Sequence, residues 1–237
     1  MHVVTFTLAR VRGRDAPRAF LRVPVDRREL ARTPGLRFAR LLGCARGQSF
    51  GWRPDLRRWA LLAVWDDSAA ADRFERESPV ARRLGPDADE AWSARLRPLA
   101  AKGAWDGVAP FDPVVQADGG DAPLLVLTRA TLRARQLPAF RRAVPPVDAA
   151  LARAPGLLAS VGVGETPVVR QGTVSLWRSP ADLHAFAYAA PAHLDAIRRR
   201  RDEGWYAEEL FARFAVVEHR GTWGGRDPVQ PSGSSRG

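Results

Sequence analysis

The chain has 237 residues, 46% of them hydrophobic, which is enough for one large or two small domains with a real core. Its formal charge of +11 is carried almost wholly by arginine, Lys102 being the only lysine, and the single cysteine, Cys44, excludes an intramolecular disulfide. The arginines are scattered among acids without an RNP, zinc-finger or helix-turn-helix signature, which speaks against nucleic acid as a partner. No stretch reaches the ~18 to 20 apolar residues of a spanning helix, and the N-terminus alternates like a strand rather than a signal peptide. The expected location is the cytoplasm, either free or peripheral at a membrane surface.

Taken in chain order, the elements repeat. "ELARTPGLRFARLLGCARG" is echoed by "AALARAPGLLASVGVGETP", and "RRWALLAVWDDSAAADRFERESPVARRL" by "RQGTVSLWRSPADLHAFAYAAPAHLDAI", with Trp65 on Trp177. A third pair, "DEAWSARLRPLAAKGAWDG" and "DEGWYAEELFARFAVVEHRGTWGG", sets Trp92 on Trp205 and Trp105 on Trp223. Each half reads strand, helix, strand, strand, helix, strand, the ferredoxin-like unit. The expected fold is therefore α+β: tandem ferredoxin-like units forming an intrachain dimeric α+β barrel. The domains read as a repeat at 1–110, a linker at 111–123, a second repeat at 124–223 and a disordered tail at 224–237.

In the second repeat the strands are "PLLVLTRAT", "GLLASVGVG", "GTVSLW" and "FARFAVVEH", bounded by Gly, Pro or charge. The first helix spans about Gln136 to Ala154, where Pro145-Pro146 is expected to break or kink it. The second opens at Ser179-Pro180-Ala181-Asp182, a cap with proline at the first helical position, then pauses at Pro191 and restarts through His193.

His193 is peculiar to the second repeat, since its counterpart in the first is Ala81. Its neighbours one turn away, Ala189, Ala190, Ala196 and Ile197, are small and apolar. An inward imidazole among alanines suits the ligation of a bulky flat cofactor, and haem iron is commonly held by one histidine. A core histidine bonded to a backbone carbonyl fits the same pattern. His184, His2 and His219 offer less, and Cys44 reads as a buried or loop thiol. Arg129 and Thr131 end the first strand of the second repeat and Arg170 begins its third, so they stand where they could face a bound oxygen species or a carboxylate, or form salt bridges. Arg200, two turns after His193, suits a haem propionate.

Several stretches, among them "LLVLTRATLRARQLPAFRRAVPPVDAALARAPGLLASVGVGE", "VVRQGTVSLWRS" and "IRRRRDEGWYAEELFARF" followed by "GTWGGRDP", resemble the spheroidene monooxygenase family across almost the whole chain. The resemblance implies insertion of oxygen next to the end of an acyclic carotenoid and haem b as cofactor. It also implies kinship with dimeric α+β barrel haem proteins such as chlorite dismutases and aldoxime dehydratases. The resemblance strengthens His193 as the metal ligand; by position, Ala189, Ile197 and Arg200 are the cofactor contacts and Arg129, Thr131, Arg170 and Tyr206 the catalytic candidates. With no Rossmann fingerprint or P-loop present, an oxygenase of this kind needs an external electron donor beside its apolar small-molecule substrate. Two other functions fit the same residues: a haem enzyme of different chemistry, aldoxime dehydratase-like or acting on an N–O bond, and a non-catalytic ligand-binding barrel with a structural His193.

Overall fold

Alternation in "VVTFTLAR" buries Val4, Phe6 and Leu8 on one face of β1 (Val3–Arg10), and the same period of two runs through the sheet that β1 joins. In this computed structural model the described residues are 2–47, 53–112, 122–166, 169–189, 198–199 and 202–230. The first half continues with α1 (Ala16–Leu30), β2 (Leu36–Ala45), β3 (Pro54–Trp65), α2 (Ser68–Glu77), α3 (Pro79–Arg83) and β4 (Glu90–Gly103). The second half repeats it with β5 (Leu124–Leu132), α4 (Leu137–Ala152), β6 (Leu157–Thr166), β7 (Arg170–Trp177), α5 (Pro180–Ala189) and β8 (Tyr206–Gly221).

The strands close into one barrel in the order β1-β3-β2-β6-β7-β5-β8-β4. Each half supplies a four-stranded antiparallel ferredoxin-like sheet, and the two join edge to edge. β4 pairs with β8 along most of its length, whereas β2 meets β6 only at Gly43–Gly164 and Cys44–Val163. Inward side chains such as Phe6, Leu62, Leu127 and Phe214 fill the interior as one core, and the helices cover the outside. Leu124 to Leu127 are all buried because β5 faces the barrel core on one side and helices on the other.

Register fixes which residues of the two halves are equivalent. Val3 and Leu124 pair with Trp65 and Trp177, while Leu8 and Arg129 pair with Ala60 and Gly172 and, on their other side, with Trp92 and Leu210. The counterpart of Trp92 is thus Leu210, which corrects the pairing of Trp92 with Trp205. Trp92 fills the barrel, whereas Trp205 packs outside it against Phe140.

Two further expectations change. α4 runs unbroken through Pro145 and Pro146, both of which lie on its exposed side, where a helix is free to bend away from the missing N–H groups. Residues 224–230, read as the start of a disordered tail, lie against the barrel: Gly225 donates its N–H to Glu90 (2.6 Å), Pro228 is buried and Val229 packs on the core.

Candidate functional site

The helix-facing side of the two sheets differs sharply between halves. In the first, β3 presents Trp59, Leu61, Ala63 and Trp65 and β2 presents Leu41, and together with Leu30, Phe74, Val80 and Leu84 they form one continuous cluster. The register places Gln171, Thr173, Ser175 and Trp177 of β7 at the β3 positions, and Ser160 and Gly162 of β6 at the positions that Ala39 and Leu41 hold in β2. Gln171, Thr173, Ser175, Ser160 and Gly162 are all buried. The apolar packing of this layer is therefore split in two, one group around Trp177 with Leu151 and Phe186, the other around Trp205 with Phe140 and Val144. Between them lies a floor of small and polar side chains.

Buried polar groups without a packing reason mark sites more often than exposed ones do. These residues carry no motif. Their signal is the repeat itself, where a tryptophan and two leucines of one copy have become glutamine, threonine and glycine in the other.

His193 lies outside the described residues, as do Ile197 and Arg200, and Ala189 is the last residue of α5. Both flanks of the intervening segment are anchored in the second-half helical layer. On one side, the Phe186 ring of α5 packs tilted against Trp177, 5.2 Å between centroids. On the other, Arg199 donates to Glu203 (2.9 Å) and lies over the Trp205 ring, whose N–H also donates to Glu203 (2.7 Å). The Trp205 N–H, with Arg199, holds the Glu203 carboxyl below the usual range. In the first half the counterpart Ala81, in α3, packs against the cluster around Trp59 and Leu61, and with Thr7 and Leu61 it lines a cavity of about 290 Å³. Thr7 and Leu61 correspond to Thr128 and Thr173.

The other histidines are placed elsewhere. His184 is exposed on α5 beside Tyr188, His2 lies against Arg37, and His219 stands 3.5 Å from Asp227 at a barrel end. Cys44 points into the barrel core, where burial pushes its thiol up and away from the thiolate form.

Arg129, Thr131 and Arg170 occupy the opposite, inner face of the sheet, while Tyr206 packs on Phe140 in the helical layer. The sheet separates them, so the four do not form one group. Arg129 and Arg170 instead enter an ion network that closes one barrel end. Arg129, 3% exposed, bonds Glu208 and lies 3.6 Å from Asp106 and 3.8 Å from Glu165. Arg170 meets Asp106 at 3.0 Å, and Arg40 meets Asp106 at 2.9 Å and Glu165 at 3.0 Å. Trp105 donates its indole N–H to Glu165 (2.9 Å), and both Arg40 and Arg129 lie over aromatic rings there.

The segment holding Trp105 and Asp106 follows Gly103, whose positive φ of 98° and close approach to the Glu209 carbonyl admit no side chain. Gly221, at φ 84°, repeats the device against Ala91 and brings Trp223 to the other end. Asp106 and Gly107 then donate backbone N–H groups to Glu208, as Gly225 does to Glu90. At that second end the counterparts of Arg129, Glu165 and Arg40 are Leu8, Cys44 and Val161, so the charge network belongs to one end only.

A curated relative, the spheroidene monooxygenase of Rhodobacter capsulatus, is 36% identical over 231 residues, 97% of this chain and 96% of its own. The chain belongs to the spheroidene monooxygenase family. Its similarity to the spheroidene monooxygenase of Cereibacter sphaeroides is 38% over 197 residues, 83% of this chain and 60% of that protein. No protein-family model matches. Membership in the spheroidene monooxygenase family makes the protein an oxidoreductase enzyme. Among solved structures, an aldoxime dehydratase superposes with a TM-score of 0.58 at 15% identity, covering 91% of this chain and 81% of its own. An aldoxime dehydratase in complex with butyraldoxime gives 0.60 at 14%, covering 91% and 79%. At these identities the likeness concerns the barrel fold alone. Among the described residues no helix is long and apolar enough to cross a membrane.

Proposed function

We propose that this protein is a haem-dependent monooxygenase acting on an apolar, acyclic carotenoid, with haem b in the second-half helical layer and His193 as its iron ligand. The observation that carries the reading is the floor of Ser160, Gly162, Gln171 and Thr173, buried where the first half packs Trp59, Leu61 and Leu41. A flat macrocycle needs a sheet side free of bulky side chains, and small residues between the two helical clusters supply one. The repeat supports it: Ala81, the first-half counterpart of His193, lines a cavity with Thr7 and Leu61, the equivalents of Thr128 and Thr173, and an arginine such as Arg200 is suited to a propionate.

When bound, haem supplies the activation of dioxygen. The chain's own part is to position and exclude. The clusters around Trp177 and Trp205 keep water from the slot, and the Gln171 amide and Thr173 hydroxyl give its sheet side hydrogen-bonding groups in an otherwise apolar layer. Arg129 and Arg170, tied into ion pairs across the sheet, act in this reading on the shape of the barrel end. Electrons come from a separate donor. An apolar polyene is delivered from a lipid phase, which places the enzyme at a membrane surface.

The test is co-expression in cells that make acyclic carotenoids, with product analysis, alongside a pyridine haemochrome assay of the purified protein. The proposal expects an oxygenated carotenoid and about one haem per chain, because one repeat alone carries the histidine. A colourless protein under ample haem supply, or unchanged carotenoids with a donor present, overturns it.

A further inference from the structure

We propose that the outer face of α1 is a docking surface for a bilayer leaflet rich in anionic headgroups. A surface helix ordinarily turns its apolar stripe inward and its charges out. On α1, Phe20 is 57% exposed, Leu21 75% and Val25 54%, while Asp26 is buried beneath them, held by Arg83 and Arg22. Helical spacing sets Phe20, Leu21, Pro24 and Val25 in one outward stripe that continues into Arg28.

The repeat shows that the fold does not require this. With β1 and β2 both offset from β5 and β6 by the same register, Phe20 and Leu21 correspond to Arg141 and Arg142 of α4, which are exposed charges of the ordinary kind. An exposed apolar ridge confined to one copy marks an interaction site.

The surroundings select the occupant. Beside the ridge, α1 and α2 flank a groove of about 440 Å³ lined by Val25, Arg28, Arg32 and Arg73 together with Glu29 and Glu77, three arginines against two carboxylates. Arg28, Arg32 and Arg73 are exposed, and the chain as a whole carries +11. A second copy docked face to face would set these arginines against their own images. An anionic leaflet satisfies both features, taking the ridge into its acyl boundary and the arginines at its headgroups. The inference deepens the proposed reading, since a polyene substrate lies in that leaflet, but the docking itself requires neither haem nor substrate.

Co-sedimentation of the full chain with vesicles of phosphatidylcholine containing phosphatidylglycerol, against phosphatidylcholine alone, measures it. The wild type is expected to bind the anionic vesicles at low salt and to be released as salt rises. The variant F20S/L21S/V25S should lose roughly tenfold in partition, as the burial of apolar side chains requires. R28Q/R32Q/R73Q should lose the preference for anionic lipid, and R141Q/R142Q should bind as the wild type does. Absence of binding at low salt, or equal binding by the triple serine variant, overturns the proposal. So does a wild-type dimer in sedimentation velocity that the triple serine variant converts to monomer. Failure of the oxygenase reading leaves the vesicle result untouched, so the two outcomes are read separately.

Discussion

Between helices and sheet, the first half of the barrel presents large apolar side chains and the second presents small and polar ones. Trp59, Leu61 and Leu41 fill in one copy what Gln171, Thr173 and Gly162 leave small in the other, although strand order, register and flanking tryptophans are held in common. The barrel ends diverge in the same way, apolar around Leu8 and Cys44, charged around Arg129 and Glu165. One copy retaining a full core can carry the stability that the other gives up for a site, a division of labour that a single unit cannot make. In the proposed reading the asymmetry of the layer makes the second half the working one.

The largest break of this comparison is His193→Ala, which makes the second copy match the first at Ala81. We expect the Soret absorption and the activity to be lost together while the fold stays intact, because stability is lodged in the barrel core and the first-half layer. His184→Ala, on the exposed side of α5, is the matched control and should keep the spectrum. Restoration of the spectrum of the alanine variant by added imidazole would show direct coordination. An unchanged spectrum in His193→Ala removes the ligand assignment.

A smaller break exchanges the floor. Gln171→Trp with Thr173→Leu imports the first-half residues, and should reduce haem per chain by roughly tenfold with an unchanged or higher melting temperature if the slot is open to a cofactor. Were protein atoms to fill that space instead, the larger side chains would overpack it and cost about 1–3 kcal/mol, seen as a lower melting temperature. The two outcomes separate a slot from a core. The reverse change, Trp59→Gln, should cost about 3 kcal/mol by leaving a cavity among Leu41, Leu61 and Leu84, with haem content unaffected.

How far the sequence discloses this molecule depends on the range of the interaction. The duplication and the barrel are legible because strand alternation and the turn glycines are local signals, repeated twice. The equivalence of Trp92 with Trp205 fails because "DEAW" and "DEGW" match as strings, while the second copy has extra residues between α5 and β8, so that the true register sets Trp92 on Leu210. Arg129 and Arg170 are marked by their strand-end positions, yet their partners Asp106, Glu165 and Glu208 come from three other segments and have no common spacing. The outward Phe20 and Leu21 run against the periodicity rule itself, which assigns apolar residues to the interior. The polar floor was within reach of a repeat alignment, since Gln171 stands on Trp59 at the same offset as Trp177 on Trp65.

The smallest effect sharpens the comparison of the two halves through pH. Burial alone would raise the Glu208 carboxyl, but the N–H groups of Gly107 and Asp106, with Arg129, outweigh it and hold Glu208 below its usual range. Asp26 in the first half goes the other way, raised by burial against the opposing pull of Arg83 and Arg22. The signs are therefore opposite. Glu208 contributes stability that is present above the ordinary glutamate value and is lost as pH falls through its depressed one. Asp26 imposes a penalty at neutral pH that is released as pH falls through its raised value. Urea unfolding between pH 7 and 3 should show a flatter acid limb for Glu208→Gln than for the wild type, and a steeper one for Asp26→Asn, which removes the opposing contribution. Arg129→Leu, the first-half residue at that position, should cost about 3–5 kcal/mol at pH 7 because it leaves the inward carboxylate of Glu208 without its buried cation. Much of that loss should return at low pH, where Glu208 becomes neutral. A deficit that stays constant across the titration would assign the Arg129 effect to packing against Trp105, and the charge network would then be incidental to the barrel end it closes.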